Sequence, residues 1–345
     1  MKKYIKALSF FVVLTLLFVN SLNIIAIDRE YPNKIEISDT EYTTISRQNN
    51  VTSYFMNTFN LKKLRNVLNE NGLSEKTQNI KILKQIGFHE KTINGMSDSE
   101  IDAILQNAIS IRTDIAYLKV NDDGVSVIVS EEECMNAVQQ YNNYVSTSSN
   151  DNWENWTDGE YMRMTISCVY LEPSASSDEK GWYNFHTWYE WLTMPNNRLV
   201  DAMSIAAPIC IWPAKNSAGA DYYSSMYYQV IDANGNSLIF NAPIKTDTDL
   251  SVEPGGFYYT WDLPNNDTDL KVNYIQIYMR GKARDPKEDN PHMLTVHVKY
   301  VHTKKVLSST PVFAWTTTDK FGVYLNKTTM NKTNYYFESS FIYTP

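Results

Sequence analysis

Histidines and carboxylates are the side chains of this chain whose spacing could do chemistry. His292, His297 and His302 fall at intervals of five in one run that reads as a strand. Side chains alternate between the two faces of a strand, so an odd interval sends His297 away from the other two, and the three cannot ligate one ion. His186 and Glu190 share a strand face, yet four residues of strand separate them by about 13 Å, too far for a single metal. HExxH is absent, and the sequence calls for no metal and no cofactor.

A glycosidase needs two carboxylates flanking the scissile bond. Glu172, Glu190, Asp201, Glu253 and Asp262 are the acidic candidates, and nothing in their spacing selects a pair. No GxSxG elbow accompanies the many serines and threonines, so no catalytic residue is assigned. Glu190, Arg198 and Asp201 read as a structural ion pair set that pins the turn after Trp191. Asp267 and Asp269 lie in a loop without the further oxygen ligands and the glycine of an EF-type calcium site.

Aromatic residues carry the stronger signal. Consecutive tyrosines at 222–223, 227–228, 258–259 and 335–336 must point to opposite strand faces, so one of each pair leaves a sandwich core. Ile275, Ile277 and Met279 claim the core on one strand, and Leu294, Val296 and Val298 on the next. Parity then turns Tyr274, Gln276, Tyr278 and Arg280, with Thr295, His297 and Lys299, to the outside as a candidate binding row. Rings flanked by amide, guanidinium and imidazole donors suit glycans or a protein partner.

The elements that must position these residues are organised around GWYNFHTWYEWLTMPNNRLVDAMSIAAPICIWP, residues 181–213. Phe185, Thr187, Tyr189 and Trp191 fall on one side and His186, Trp188, Glu190 and Leu192 on the other, which predicts a central strand covered on both faces. Pro195, Asn196 and Asn197 predict a reversal into a second strand, Leu199 to Ile211. Upstream, Leu61, Leu64, Val67 and Leu68, and then Ile80, Leu83 and Ile86, recur at helical spacing. Ser97 and Glu100 form a capping box ahead of Ile101, Ile104, Leu105, Ala108 and Ile109. YLKV and VSVIV flank a turn at 121–124 and predict a hairpin, and Ser130-Glu131-Glu132-Glu133 opens another helix running to Tyr144. From Glu160 onward the chain reads as about ten strands with no helix.

The expected class is therefore α+β in two domains, a small helical N-terminal domain followed by an all-β antiparallel sandwich. The expected boundaries are a signal peptide at 1–26, an extended arm at 27–51, a helical domain with one β-hairpin at 52–144, a linker at 145–159 and the sandwich at 160–345. Lys2, Lys3 and Lys6 before the apolar run Ala7 to Val19, with Ala26 as the small residue at the cleavage site, carry the signal reading. That run is short for a membrane span, so no integral span is expected after cleavage, and the location is extracellular or cell-surface.

A net charge of −8 over 345 residues argues against nucleic acid as a partner, since binding there needs a basic surface. Three cysteines make no disulfide framework. Cys168 and Cys210 both fall on strands of an exported domain, which leaves a bridge between them open alongside free buried thiols.

The run IGFHEKTINGMSDSEIDAIL, the YLKVNDDG hairpin followed by SEEE, and the later YEWLTMPNNRLVD resemble a group of uncharacterised secreted proteins of Gram-positive bacteria. The resemblance spans most of the chain and is most specific at Glu190-Trp191-Leu192 followed by Pro195, Arg198 and Asp201. It implies export and this domain order, and it brings no catalytic residue. The expected function is a non-enzymatic binding or adhesion protein whose ligand is a cell-wall or other glycan, or a surface protein. Two rival classes are a polysaccharide-active hydrolase and a membrane-active toxin; the latter should carry a long amphipathic hairpin, and none of adequate length is found.

Overall fold

The structure, a computed structural model, describes residues 36–105, 108–120, 126–147, 160–171, 182–195, 200–206, 211–213, 224–232, 234–245, 250–253, 256–265, 270–284, 292–303, 311–315, 321–325 and 332–343. Three short strands open the described chain, β1 (Glu36–Asp39), β2 (Thr44–Gln48) and β3 (Val51–Met56). Four helices follow: α1 (Thr58–Glu70), α2 (Glu75–Gln85), α3 (Glu90–Asn94) and α4 (Asp98–Leu105). Next come β4 (Ala108–Val120), β5 (Ser126–Val129) and α5 (Glu131–Thr147). After α5 lie β6 (Tyr161–Leu171), β7 (Trp182–Trp191), β8 (Val200–Ala206), β9 (Ile211–Pro213), β10 (Ser224–Asp232), β11 (Ser237–Lys245) and β12 (Leu250–Glu253). The last are β13 (Gly256–Asp262), β14 (Leu270–Arg284), β15 (His292–Thr303), β16 (Pro311–Trp315), β17 (Phe321–Leu325) and β18 (Lys332–Tyr343).

Local chemistry accounts for the helices. Asn57 Oδ1 accepts from the amide of Asn60 at the start of α1, and Leu61, Leu64 and Leu68 form its buried stripe. The capping box forms as expected: the Glu100 amide donates to Ser97 Oγ at 3.2 Å, and the Ser97 amide donates to Glu100 Oε2 at 2.6 Å. Gly87 follows α2 at φ +90°, where a Cβ would meet the Tyr54 ring at 2.3 Å, so helix and β3 close over a residue without a side chain. The helix after Ser97 ends at Leu105, not Ile109. Ala108 already belongs to β4, whose Ile111, Ile115 and Leu118 are buried.

Two antiparallel sheets organise the rest. The wide sheet has eleven strands in the order β1-β2-β3-β4-β6-β7-β14-β10-β11, with β5 on β4 and β9 on β14. The smaller sheet runs β12-β13-β8-β15-β18, and β16 pairs with β17. Met162, Met164, Ile166, Phe185, Tyr189, Trp191, Ile275, Ile277 and Met279 of the wide sheet share one buried cluster with Met203, Ile205, Phe257, Tyr259, Val296, Val298 and Tyr300 of the smaller one. The sheets therefore face each other across a sandwich core. Each fully buried large apolar side chain contributes about 1.5–3 kcal/mol there.

The opposite face of the wide sheet carries a second cluster. Trp188, Tyr278, Val169 and Ile111 pack there with Leu61, Leu64, Ile82, Leu83, Phe88, Ile93, Ile101 and Ile104 of the helical segment. Ile115, Tyr117 and Tyr161 pack with Cys134 and Ala137 of α5. The wide sheet is thus a middle layer, with helices on one side and the smaller sheet on the other. Strand β7 sits within it between β6 and β14 and is buried on both faces, as its two-sided aromatic pattern requires.

Several expectations are corrected. The described part of the expected arm is β1, β2 and the first residue of β3, on the border of the wide sheet, because β2 pairs with β3 and β3 pairs with β4 along Val51–Met56. The reversal after Pro195 does not form a hairpin, since β7 already has β6 and β14 as neighbours and the chain crosses to the smaller sheet as β8. The division into helical and β domains is not how the contacts fall: Glu36–Pro345 is one compact unit. The physical reason is that β4, from the helical half, pairs with β6 across the expected boundary from Ala108↔Leu171 to Lys119↔Tyr161. Helix α5 runs into the expected linker as far as Thr147, and the remainder of that linker and the expected signal peptide lie outside the described residues.

Candidate functional site

The expected binding row is not a solvent face. Tyr274, Gln276 and Tyr278 are buried beneath the helices, and only Arg280 at the end of that row is half-buried. His297 and Lys299 are buried as well. Their side of the smaller sheet faces away from the sandwich core, and β17 lies against β8, β13 and β15. The side chain of Thr295 lies outside the described ones. Alternation along each strand was read correctly; both outward faces are covered by layers contributed from elsewhere in the chain.

Under the helices, the row becomes a closed polar network. Arg163 of β6 and Glu190 of β7 stand abreast, and the guanidinium donates to both carboxylate oxygens, Nε to Oε2 at 2.6 Å and a terminal nitrogen to Oε1 at 2.7 Å. Thr92 of α3 accepts from Arg163 at 2.7 Å and donates to Glu190 at 2.8 Å. Tyr274 donates to Glu190, and Gln276 reaches the Thr92 carbonyl at 3.3 Å. Burial pushes the Glu190 carboxyl up, but the Arg163 charge and the hydrogen bonds from Arg163, Tyr274 and Thr92 outweigh it and hold the group below the usual carboxylate range. Lys91 lies over the Tyr274 ring at 4.2 Å, and burial lowers its pKa. Every oxygen of Glu190 is spent on these partners, so the network fastens α3 to the sheet and offers no free catalytic carboxylate.

Glu190 and Asp201 of the expected ion-paired set are not brought together. Glu190 is taken by Arg163, and Asp201 lies on the other sheet, where His302 Nδ1 approaches its Oδ2 at 2.9 Å and Tyr300 donates to the same carboxylate. Arg198 lies outside the described residues. Trp191 Nε1 donates to the Tyr300 hydroxyl at 2.9 Å, so this cluster ties the two sheets together inside the sandwich. Arg163 and Thr92 were missed in the sequence because their partner lies far along the chain. A lone arginine among Met162, Met164 and Ile166 of a buried strand was the available signal.

Cys168 is a free buried thiol, so the bridge to Cys210 is not made; Cys210 lies outside the described residues. Burial raises the Cys168 pKa and pushes that of Cys134 up to about 12, which leaves both as unreactive thiols at neutral pH. Among the described residues, no group of three His, Cys, Asp or Glu side chains is placed to hold a metal ion. An open cleft of about 510 Å³ between α1, α2 and α4 is lined by Arg65, Gln78 and Asp102 among others. Arg65 donates to the Leu105 carbonyl and Gln78 to Asn69 and Leu73, so those two groups are engaged in holding the helices together.

Three consecutive exposed apolar residues lie at the far border of the wide sheet. Strand β11 is the last in the order and pairs with β10 from Ile231↔Ser237 to Ser224↔Lys245. Leu238, Ile239 and Phe240 are consecutive on it and are 42%, 58% and 37% exposed. Neighbours on a strand point to opposite faces, so both faces of this border carry accessible apolar side chains. Phe240 stacks on Tyr228 at 5.2 Å, which anchors the strand to the core.

No family model matches the chain, and no curated protein matches it. Among solved structures, the chain is similar to one containing manganese lipoxygenase of Gaeumannomyces graminis and part of zonadhesin of Komagataella pastoris. That match has 8% identity and a TM-score of 0.23, and covers 54% of this chain and 64% of that one. It is also similar to Clostridium perfringens delta-toxin, at 7% identity and a TM-score of 0.18 over 88% of this chain and 96% of that one. Likenesses this weak carry no argument about what the chain is or does.

Proposed function

We propose that this is an exported, non-enzymatic binding protein that adheres to a protein partner at the cell surface through the outer border of β11. The observation that carries the reading is the run of three consecutive apolar residues Leu238, Ile239 and Phe240, exposed on the last strand of the wide sheet. A border strand offers unpaired main-chain groups to an extended segment of another protein, and exposed apolar side chains beside it add burial on contact. Glycan binding favours flat rings with polar tips, and Tyr274 and Tyr278, the rings of the expected row, are buried. Leu238 and Ile239 are aliphatic and suit a protein surface better. Pro243 removes a main-chain donor further along, which confines the pairing stretch to its first half. Export rests on the basic and apolar N-terminal pattern and on the resemblance to secreted proteins of Gram-positive bacteria.

The test is adhesion of the full exported chain to bacterial cells pretreated with protease or with periodate. Protease is expected to abolish binding and periodate to leave it intact. Ile239→Lys should weaken binding by roughly tenfold or more, with an unchanged unfolding midpoint. Binding that is sensitive to periodate and resistant to protease would establish a glycan ligand instead, and full binding by Ile239→Lys would place the contact elsewhere.

A further inference from the structure

On the helix-covered face of the wide sheet, four polar residues stand abreast on neighbouring strands: Thr113 of β4, Ser167 of β6, His186 of β7 and Arg280 of β14. Directly opposed residues of antiparallel strands share a face, and His186 lies two residues from Trp188, which packs on Phe88 at 4.8 Å. The two ends of this row differ. Thr113 and Ser167 satisfy each other at 3.1 Å. Arg280 is half-buried, its Nε is enclosed without an acceptor, and among the described residues it makes no ion pair and no hydrogen bond. His186 is fully buried, and its Nε2 has no partner either.

His186 Nδ1 meets the Tyr278 hydroxyl at 2.8 Å. Burial raises the Tyr278 pKa, so the group is a phenol, able to donate to this nitrogen or to accept from it. In the tautomer in which the phenol donates to Nδ1, the proton of the neutral imidazole lies on Nε2, and that atom is a donor. Burial, with the Arg280 charge adding to it, lowers the His186 pKa well below its ordinary value, so the ring is neutral at pH 7. On the same face, one strand step further, Asn184 Oδ1 is also enclosed and unpartnered. Its amide orientation is assigned, and turned over it becomes another donor. In that tautomer an uncompensated guanidinium stands beside an imidazole N–H and an invertible amide.

We propose that Arg280 and His186, with Asn184 turned to donate, form a binding site for an oxyanion, a carboxylate or a phosphoryl group. An oxyanion supplies what each atom lacks: countercharge for the guanidinium and acceptor lone pairs for both N–H groups. Water could occupy the imidazole and amide, but it would leave Arg280 without a countercharge. The site lies beneath the helical layer, apart from the β11 border, and does not depend on the adhesion reading.

The test is a titration of the full chain with sodium phosphate and with sodium acetate, at ionic strength held constant by chloride. It is read from the His186 ring resonance, assigned through its contacts with the Trp188 and Tyr278 rings. Either anion is expected to move the resonance saturably, and the stronger of the two identifies the ligand group as phosphoryl or carboxylate. Arg280→Gln should weaken binding by about tenfold or more, the effect of losing a charge-assisted hydrogen bond, and Arg280→Lys should weaken it less. Arg280 is half-exposed, so both variants should keep the wild-type unfolding midpoint. A response that chloride reproduces, or one that survives Arg280→Gln undiminished, would overturn the proposal.

Discussion

Glu190 shows how a single buried charge is made tolerable. Its carboxylate and the Arg163 guanidinium are both removed from water, and only the two-pronged pairing together with Thr92 and Tyr274 offsets the cost of that transfer. Removing one member leaves the other stranded, so Glu190→Gln is expected to cost about 3–5 kcal/mol in urea unfolding at pH 7. Arg163→Met combined with Glu190→Leu should cost less than the single change, because no uncompensated charge remains. The pH dependence has a definite sign. Glu190 is held below its unfolded value, so its contribution is complete above about pH 4.3 and is lost as pH falls through the folded value. Glu100 acts in the opposite sense: burial raises its pKa against the hydrogen bonds from Ser225 and Ser97, and the stability tied to its protonated form is lost as pH rises through the folded value. A single Glu190→Gln variant within about 1 kcal/mol of wild type would contradict this account of the pair.

Helices hold their places on the sheet through both their caps and their neighbours. Gly72 and Gly87 both have positive φ, yet they differ in surroundings, with open space around the first and the Tyr54 ring against the second. Gly72→Ala should therefore cost about 1–2 kcal/mol for the left-handed backbone alone. Gly87→Ala should cost clearly more, since the Tyr54 ring must also move away from the new side chain. Comparing the two unfolding midpoints isolates the packing contribution, and equal losses would show that the ring yields freely. Helix caps, the β4–β5 hairpin and the two-sided strand β7 were legible because caps, turns and alternation are local. The end of α4 was not, because Ala108 and Ile109 fit a helical stripe as well as a strand, and pairing of β4 with β3 and β6 decided between them.

Over the whole molecule, one sheet runs through both the helical and the β halves of the chain. A fragment of residues 160–345 would expose β6 where β4 belongs and uncover Trp188, Tyr274 and Tyr278, which the helical segment buries. That fragment is expected to aggregate or to lack a cooperative thermal transition. The intact chain should unfold in one transition that coincides by tryptophan fluorescence and far-UV circular dichroism. A soluble fragment with a sharp transition of its own would restore the two-domain division.

The sequence by itself determined which residues share a strand face, where helices begin, that the β half is antiparallel and that β7 is central, because each follows from periods of 2 or 3.6 residues or from contacts a few positions apart. Tertiary structure alone decided what lies over each face. Tyr274, Gln276 and Tyr278 were rightly separated from Ile275, Ile277 and Met279, yet they meet α3 and its neighbours in place of water, because the covering layer comes from more than 150 positions away, as in the Gln276 to Thr92 contact at a separation of 184. Charge partners follow the same rule. Glu190 had Arg198 nearby in sequence and took Arg163, 27 positions away, because antiparallel pairing of β6 and β7 sets those two side chains directly opposite each other on a face that excludes water.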